Sequence, residues 1–150
     1  MLVHRTHLMV AKVASTETMR PGLNGVHVFQ RDGETIAEAS DGHRLVRVSR
    51  PTESDADFPR QNEAPSADLG AEGITIPTKA CADALKSLPR KCRFPLLADN
   101  LRLEQGPAND VALVATDLDT TARTATRPLE GSFPNVDQIL SAKRAEPVLR

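Results

Sequence analysis

The chain has 150 residues, 39% of them apolar and 26% charged, with a formal net charge of −1. That length fits one domain and can bury a substantial core, and the near-zero charge gives no global nucleic-acid signal, so any such contact must come from local patches. Aromatics are only 3%, Cys81 and Cys92 are too few for a disulfide framework, and no apolar run nears the roughly 18 residues of a membrane span. The start of the chain lacks a basic-then-apolar secretion pattern. These features point to an aliphatic core and a reducing cytoplasm.

Thr6 to Ser15 reads as a helix capped by Thr6, with Leu8, Val10, Ala11, Val13 and Ala14 as its apolar positions. Lys12, with Arg5 and Arg20 flanking, makes this region basic. Pro21-Gly22 ends it and Leu23-Asn24-Gly25 turns the chain. Val26 to Gln30 alternates as a strand. Arg31-Asp32-Gly33-Glu34 is a turn, and Thr35 to Ser40 is the next strand. Asp41-Gly42 predicts a tight type I′ reversal into a third strand, His43 to Ser49. The result is a meander joined by two Asp-Gly turns. The second turn is unusual in presenting an imidazole, a guanidinium and a leucine.

Residues 50–73 change character. Between Thr52 and Glu72 lie six acids (Glu53, Asp55, Asp57, Glu63, Asp68, Glu72) against one base, Arg60. This is expected to be a long, solvated, partly disordered loop, either repelling unwanted partners or simply a variable insertion; the insertion is the plainer reading. Ile74 to Pro77 is a short strand. Thr78 then caps a helix from Lys79 to Leu88, stopped by Pro89, with Cys81, Ala84, Leu85 and Leu88 as one core stripe. From Thr78 to Arg93 five bases (Lys79, Lys86, Arg90, Lys91, Arg93) face one acid, Asp83.

The remainder is strand-like: Phe94 to Leu97, Leu101 to Glu104, Val111 to Thr116 and Thr120 to Arg127, with turns at Asp99-Asn100 and Gly106 to Asp110. Gly131 to Leu140 follows, and residues 141–150 read as a loose tail. The order describes an α+β domain: two helices packed on antiparallel sheets, in two similar half-domains.

That order, together with Leu23-Asn24-Gly25, Ala39-Ser40-Asp41-Gly42-His43-Arg44-Leu45, Ile76-Pro77-x-Lys79 and Gly131-x-Phe133-Pro134, resembles the bacterial sliding clamp family, the β subunit of DNA polymerase III. The similarity is to the middle one of that family's three domains and runs from about residue 6 to residue 140. It implies paired βαβββ-like units with helices inside and sheets outside, six such domains closing around duplex DNA. It also implies a pocket that takes short hydrophobic linear motifs of polymerase or repair proteins. By position the pocket residues are Leu23, Ser40, Gly42, His43, Arg44, Leu45, Pro134, Gln138 and Ile139. The family usually has Thr at Ser40, Arg at Gln138 and Asp-Tyr at Asn135-Val136. In that family the rest of the pocket comes from a neighbouring domain.

The residues make physical sense of these assignments. Leu23, Leu45 and Ile139 would be apolar walls, and His43 and Arg44 could hydrogen-bond a peptide. Taken alone, the plainer reading is that Leu45 is core, Arg44 a solvated strand residue and His43 a cap on the turn; the resemblance favours the pocket. Arg5, Lys12, Arg20, Lys79, Lys86, Arg90 and Lys91 are candidate duplex-DNA contacts; an ordinary solvated helix face is the competing reading.

No catalytic constellation, metal site or cofactor loop emerges. Asp117 and Asp119 read as a turn, His4-x-x-His7 is a weak metal pattern, and Cys81 lies on a core stripe. The expectation is a noncatalytic platform in replication or repair, with self-association one way to encircle DNA. The alternative is a stand-alone interaction module that keeps the fold without binding DNA.

Overall fold

A computed structural model describes residues 1–60 and 64–141. Two four-stranded antiparallel sheets enclose two helical segments. The strands are β1 (Leu2–His4), β2 (Gly25–Arg31), β3 (Glu34–Ser40), β4 (Leu45–Pro51), β5 (Ile74–Pro77), β6 (Asn100–Gln105), β7 (Val111–Thr116) and β8 (Thr121–Thr126). One sheet has the order β1-β6-β7-β8 and the other β4-β3-β2-β5. Each half therefore builds a three-strand meander, and each meander takes its fourth strand from the start of the other half. β1 pairs with β6, and β5 pairs with β2.

The α+β expectation with two similar half-domains matches this architecture. Period-two alternation sorts the faces. Val26, Val28, Ala37, Ala39 and Ile76 of one sheet meet Val3, Leu101, Leu103, Leu113 and Ala115 of the other in one aliphatic core. The helices α1 (Arg5–Met9) and α2 (Thr78–Ser87) add Leu8, Ala80, Cys81 and Ala84. β1, whose Val3 is fully buried, was not read as a strand; three residues are too short for a period to show.

Other boundaries differ from the sequence reading. The first helix is one α-helical turn and a 3-10 segment, Val10–Val13, capped by His4 rather than Thr6. Its capping box is built from two histidines. His4 Nδ1 accepts from the Thr6 N–H at 3.2 Å, and the His4 N–H donates to His7 Nδ1 at 3.1 Å. This is the local job of the His4-x-x-His7 spacing. Thr78 does not cap α2; its hydroxyl donates to the Asn24 carbonyl at 2.5 Å, tying the helix start to the turn before β2. Residues Phe94 to Leu97 are not a strand. Pro95 sits at the first position of a helix, α3 (Pro95–Asp99), where its missing N–H costs nothing.

The acidic stretch is a loop whose described residues are mostly exposed, as expected, but it is pinned as a strap at Phe58, Ser66 and Ala67. Phe58 is buried against Leu2 and Leu97 on the outer side of the β1 sheet. The Ala67 N–H donates to the Leu103 carbonyl at 3.0 Å, and Ser66 bridges to Glu104. Beneath the strap, Arg102 is fully buried. Its guanidinium donates to Glu104 at 3.0 Å, to the Ser66 hydroxyl at 3.1 Å and to the Ala64 carbonyl at 3.2 Å, with Asp55 3.6 Å away. Arg123 closes on the other oxygen of Glu104. The scatter of six acids along the loop concealed this, because composition cannot show that one of them, Asp55, faces a buried arginine. The tail expected at residues 141–150 lies outside the described residues apart from Ser141, which ends α4 (Val136–Ser141).

His7 is buried, and its Nε2–H donates to the Thr35 carbonyl at 3.0 Å. Burial pushes its pKa down to about 4. The folded chain thus keeps it neutral where the unfolded chain, with an ordinary histidine near 6.5, is protonated. Its contribution is complete above pH 6.5 and declines as pH falls toward 4, by about 3 kcal/mol in all. Urea unfolding at pH 7 and pH 4.5 should show this loss, and the His7→Gln variant should show a shallower one.

Candidate peptide-docking site and basic helix face

The stretch Ser40 to Leu45 forms a four-residue loop rather than a two-residue hairpin. Ser40 and Leu45 are the last paired positions, with Asp41 to Arg44 between them. The genuine two-residue turn is Asp32-Gly33, both at positive φ (53° and 77°) between the paired Arg31 and Glu34. At residues 41–44 the carboxylate of Asp41 takes over the role of the backbone. Its Oδ1 accepts from the N–H groups of His43 (2.8 Å) and Arg44 (2.7 Å), and its Oδ2 accepts from Arg44 Nε at 3.1 Å. The Arg44 and His43 N–H groups hold the Asp41 pKa down at about 2. The Ser40 hydroxyl donates to the Arg44 carbonyl at 2.8 Å and accepts from the Gly42 N–H at 3.1 Å. With the backbone polar groups so engaged, the side chains of His43 and Arg44 stand exposed on a fixed frame.

The same device recurs at the β7–β8 connection. Asp117 Oδ1 accepts from the Asp119 and Thr120 N–H groups at 3.0 and 2.7 Å. The Thr116 hydroxyl donates to the Thr120 carbonyl and accepts from the Leu118 N–H. Leu118 occupies the place of Gly42, at φ 81° against 91°. Asp117 and Asp119 are thus parts of a turn, as their spacing suggested.

Of the expected docking residues, the structure brings the Leu23 turn and the 40–45 loop together, and the segment carrying Pro134, Gln138 and Ile139 runs over the outer face of the same sheet. The Ser15 N–H donates to both the Leu23 carbonyl (2.9 Å) and the Ser40 carbonyl (3.2 Å), which sets the Leu23 turn beside the 41–44 loop. Gly25 must lack a side chain, because a Cβ there would lie 2.2 Å from the Ile76 carbonyl oxygen. The Gly131 segment also reaches this corner: a Cβ on Gly22 would lie 3.1 Å from the Ser132 carbonyl oxygen. Phe133 then stacks on His27, ring centroids 5.2 Å apart, and Pro134 follows, exposed, over the outer face of the β2 sheet. Asn135 Oδ1 accepts from the Gln138 N–H at 3.1 Å and caps α4. Alternation puts Leu45 and Arg47 on that same outer face, and Arg47 holds Asp137 of α4 at 2.9 Å. Leu23 is buried and Leu45 half-buried, whereas Ile139 and Leu140 are more than half exposed. Gln138 is also exposed. α4 thus presents two large apolar side chains, Ile139 and Leu140, to solvent beside the polar Gln138.

The basic residues divide into two groups. Lys12, Lys79, Lys86, Arg90 and Lys91 are exposed and form no ion pair among the described residues. They lie on the first helical segment and on α2 with the turn after it, which pack side by side. Arg5 differs, lying 3.6 Å from Asp99. Arg20 differs too: its guanidinium occupies the space where a Cβ on Gly42 would point, so it packs over the 41–44 loop. The sequence reading missed this role because Arg20 and Gly42 are distant in the chain. Among the described residues no group of three His, Cys, Asp or Glu is arranged to hold a metal ion, and no helix is long and apolar enough to cross a membrane.

No family model matches the chain. It is 31% identical over 134 residues to a protein named Beta sliding clamp from Synechocystis, an alignment covering 85% of this chain and 30% of that protein. Among solved structures it resembles a sliding clamp (DNA polymerase III subunit beta) from Bartonella birtlesii bound to griselimycin, at 22% identity and TM-score 0.59, covering 93% of this chain and 34% of that one. It also resembles the DNA polymerase III β subunit of Thermotoga maritima, at 17% identity and TM-score 0.62, covering 95% and 34%. The chain spans about a third of the length of these relatives.

Gly42 is at φ 91°, a region that costs an L side chain roughly 1–2 kcal/mol. The Gly42→Ala variant should lose about that much stability and displace Arg20. Thermal unfolding and the NMR shifts of the Arg20 side chain would check both effects.

Proposed function

We propose that this chain, a sliding-clamp-like domain in sequence and in fold, serves as a noncatalytic cytoplasmic platform in DNA replication or repair. Its 150 residues act as one domain, most like the middle domain of the clamps. Leu23, Ser40, Gly42, His43, Arg44, Leu45, Pro134, Gln138 and Ile139 form a docking surface for short hydrophobic motifs of polymerase-type partners. The observation that carries this reading is the Leu23 turn held beside the 41–44 loop, with α4 tied to Arg47 two positions beyond Leu45 on the same sheet, in a chain 31% identical to a clamp. The unpaired cations Lys12, Lys79, Lys86, Arg90 and Lys91 would face duplex DNA without sequence preference, and self-association would supply the copies needed to encircle it. A net charge of −1 and the engagement of Arg5 by Asp99 favour a second reading, a peptide-binding module that does not touch DNA.

Titration with a synthetic peptide carrying a clamp-binding hydrophobic motif tests the docking surface. The unaltered protein should bind it, and Leu45→Asp should weaken binding by more than about tenfold. Absence of binding by the unaltered protein would overturn the docking reading. Lys79→Glu combined with Lys86→Glu should weaken retention on duplex DNA and flatten its salt dependence. If retention is unchanged, the helix face is not the DNA contact; if the unaltered protein is a monomer that ignores DNA, the second reading stands.

A further inference from the structure

Asp137 is an unexpected residue on the outer face of the β2 sheet. It is on the first turn of α4, immediately before Gln138, and two arginines from different strands hold it. Arg31 of β2 donates to both its oxygens, from Nη1 at 2.6 Å and Nη2 at 3.2 Å. Arg47 of β4 donates from Nη1 at 2.9 Å. Neither arginine is loose. The Arg31 guanidinium lies over the Phe29 ring, 5.4 Å from its centroid, and Arg47 Nε donates to Glu38, a buried carboxylate, at 2.6 Å. The two arginines thus form a fixed receptor on the outer face of the sheet, and Asp137 plugs into it. Bidentate guanidinium–carboxylate contacts add geometric definition beyond a point charge.

α4 needs such a fixture. It has only six residues, too few to be stable alone, and of its apolar side chains only Val136 is buried. Ile139 and Leu140 face solvent. One buried valine sets the depth of the helix but leaves its rotation free. The Asp137 contact fixes the rotation, and with it the direction in which Ile139 points.

We infer that Asp137 is a positioning residue: gripped by Arg31 and Arg47, it orients α4 so that Ile139 and Leu140 form the far wall of the peptide-docking surface. The inference rests on the docking reading above and adds that this wall is held in place by charge. Peptide affinity should therefore fall with ionic strength although the proposed peptide contacts at the wall are apolar.

The test compares the unaltered protein with Asp137→Asn and Asp137→Glu. Amide hydrogen exchange of residues 136–141 is read first, without peptide. Asp137→Asn should exchange about tenfold faster there while the global unfolding midpoint holds, and Asp137→Glu should recover most of the protection. Titration with the hydrophobic clamp-binding peptide should then show about a tenfold loss for Asp137→Asn, rescue by Asp137→Glu, and a salt dependence that Asp137→Asn abolishes. Unchanged exchange at 136–141 would overturn the inference outright. Faster exchange with unchanged peptide affinity would overturn the claim that α4 sets the wall. If the unaltered protein binds no peptide, the docking reading fails by itself, and the exchange measurement still decides whether Asp137 holds α4.

Discussion

Each half of this chain gives its first strand away. Leu2–His4 pairs with β6, and Ile74–Pro77 pairs with β2, so neither four-stranded sheet can be completed by a contiguous piece of sequence. The chain must cross the molecule between β1 and β2, and again between β5 and β6, and α1 and α2 make those crossings. That places both helices between the sheets and leaves each sheet with an outer face that its own meander cannot cover. The long connections do that work. The strap after β4 lies over the β1 sheet, and the segment from Gly131 to Ser141 lies over the β2 sheet. Both coverings are held by arginine. Arg102 under the strap has no exposure, and removing one partner from a buried charge of this kind typically costs about 3–5 kcal/mol. Arg31 and Arg47 under α4 are only half-buried, so the second covering is held more lightly.

The two halves also repeat a turn. Ser40-Asp41 and Thr116-Asp117 close their loops with the same hydroxyl and carboxylate contacts, and each needs a positive φ at the next residue. In the first half that residue is Gly42, and Arg20 fills the space a side chain would take. In the second it is Leu118, which accepts the strain and projects into solvent. The first copy carries an arginine over its turn, whereas the second lies beside the end of α2 at Ser87. The same local turn thus meets different surroundings in the two halves.

These contrasts explain what the sequence could reveal. The longer strands were legible because alternation is local and the core is aliphatic, so Val26, Val28, Ala37, Ala39 and Leu113 announce their inner face. The turn at Asp41-Gly42 was legible as a motif but not as a geometry, because an Asp-Gly pair is suited both to a two-residue turn and to a loop closed by the carboxylate. β1 was hidden by its length and α3 by its apolar composition. The arginine contacts were hidden for another reason. Arg102 with Asp55, Arg31 with Asp137 and Arg20 with Gly42 each join residues far apart in sequence, and a charged residue carries no mark of whether its partner is solvent or a distant carboxylate.

The way the cations are divided also bears on the balance between the two functional readings. Arginines hold the architecture: Arg31, Arg47, Arg102 and Arg123 all engage carboxylates on the outer faces. The four lysines of the described residues engage none and all lie on the helical side. A guanidinium fork suits fixed, bidentate partners, whereas an ammonium on a flexible stem suits a diffuse anionic surface met at many angles. The near-neutral net charge therefore averages over unlike surfaces: lysines without ion pairs on the helical side, and arginine–carboxylate pairs on the outer faces. That separation is what a domain would need to hold duplex DNA loosely on one side while offering an apolar corner to a peptide on the other.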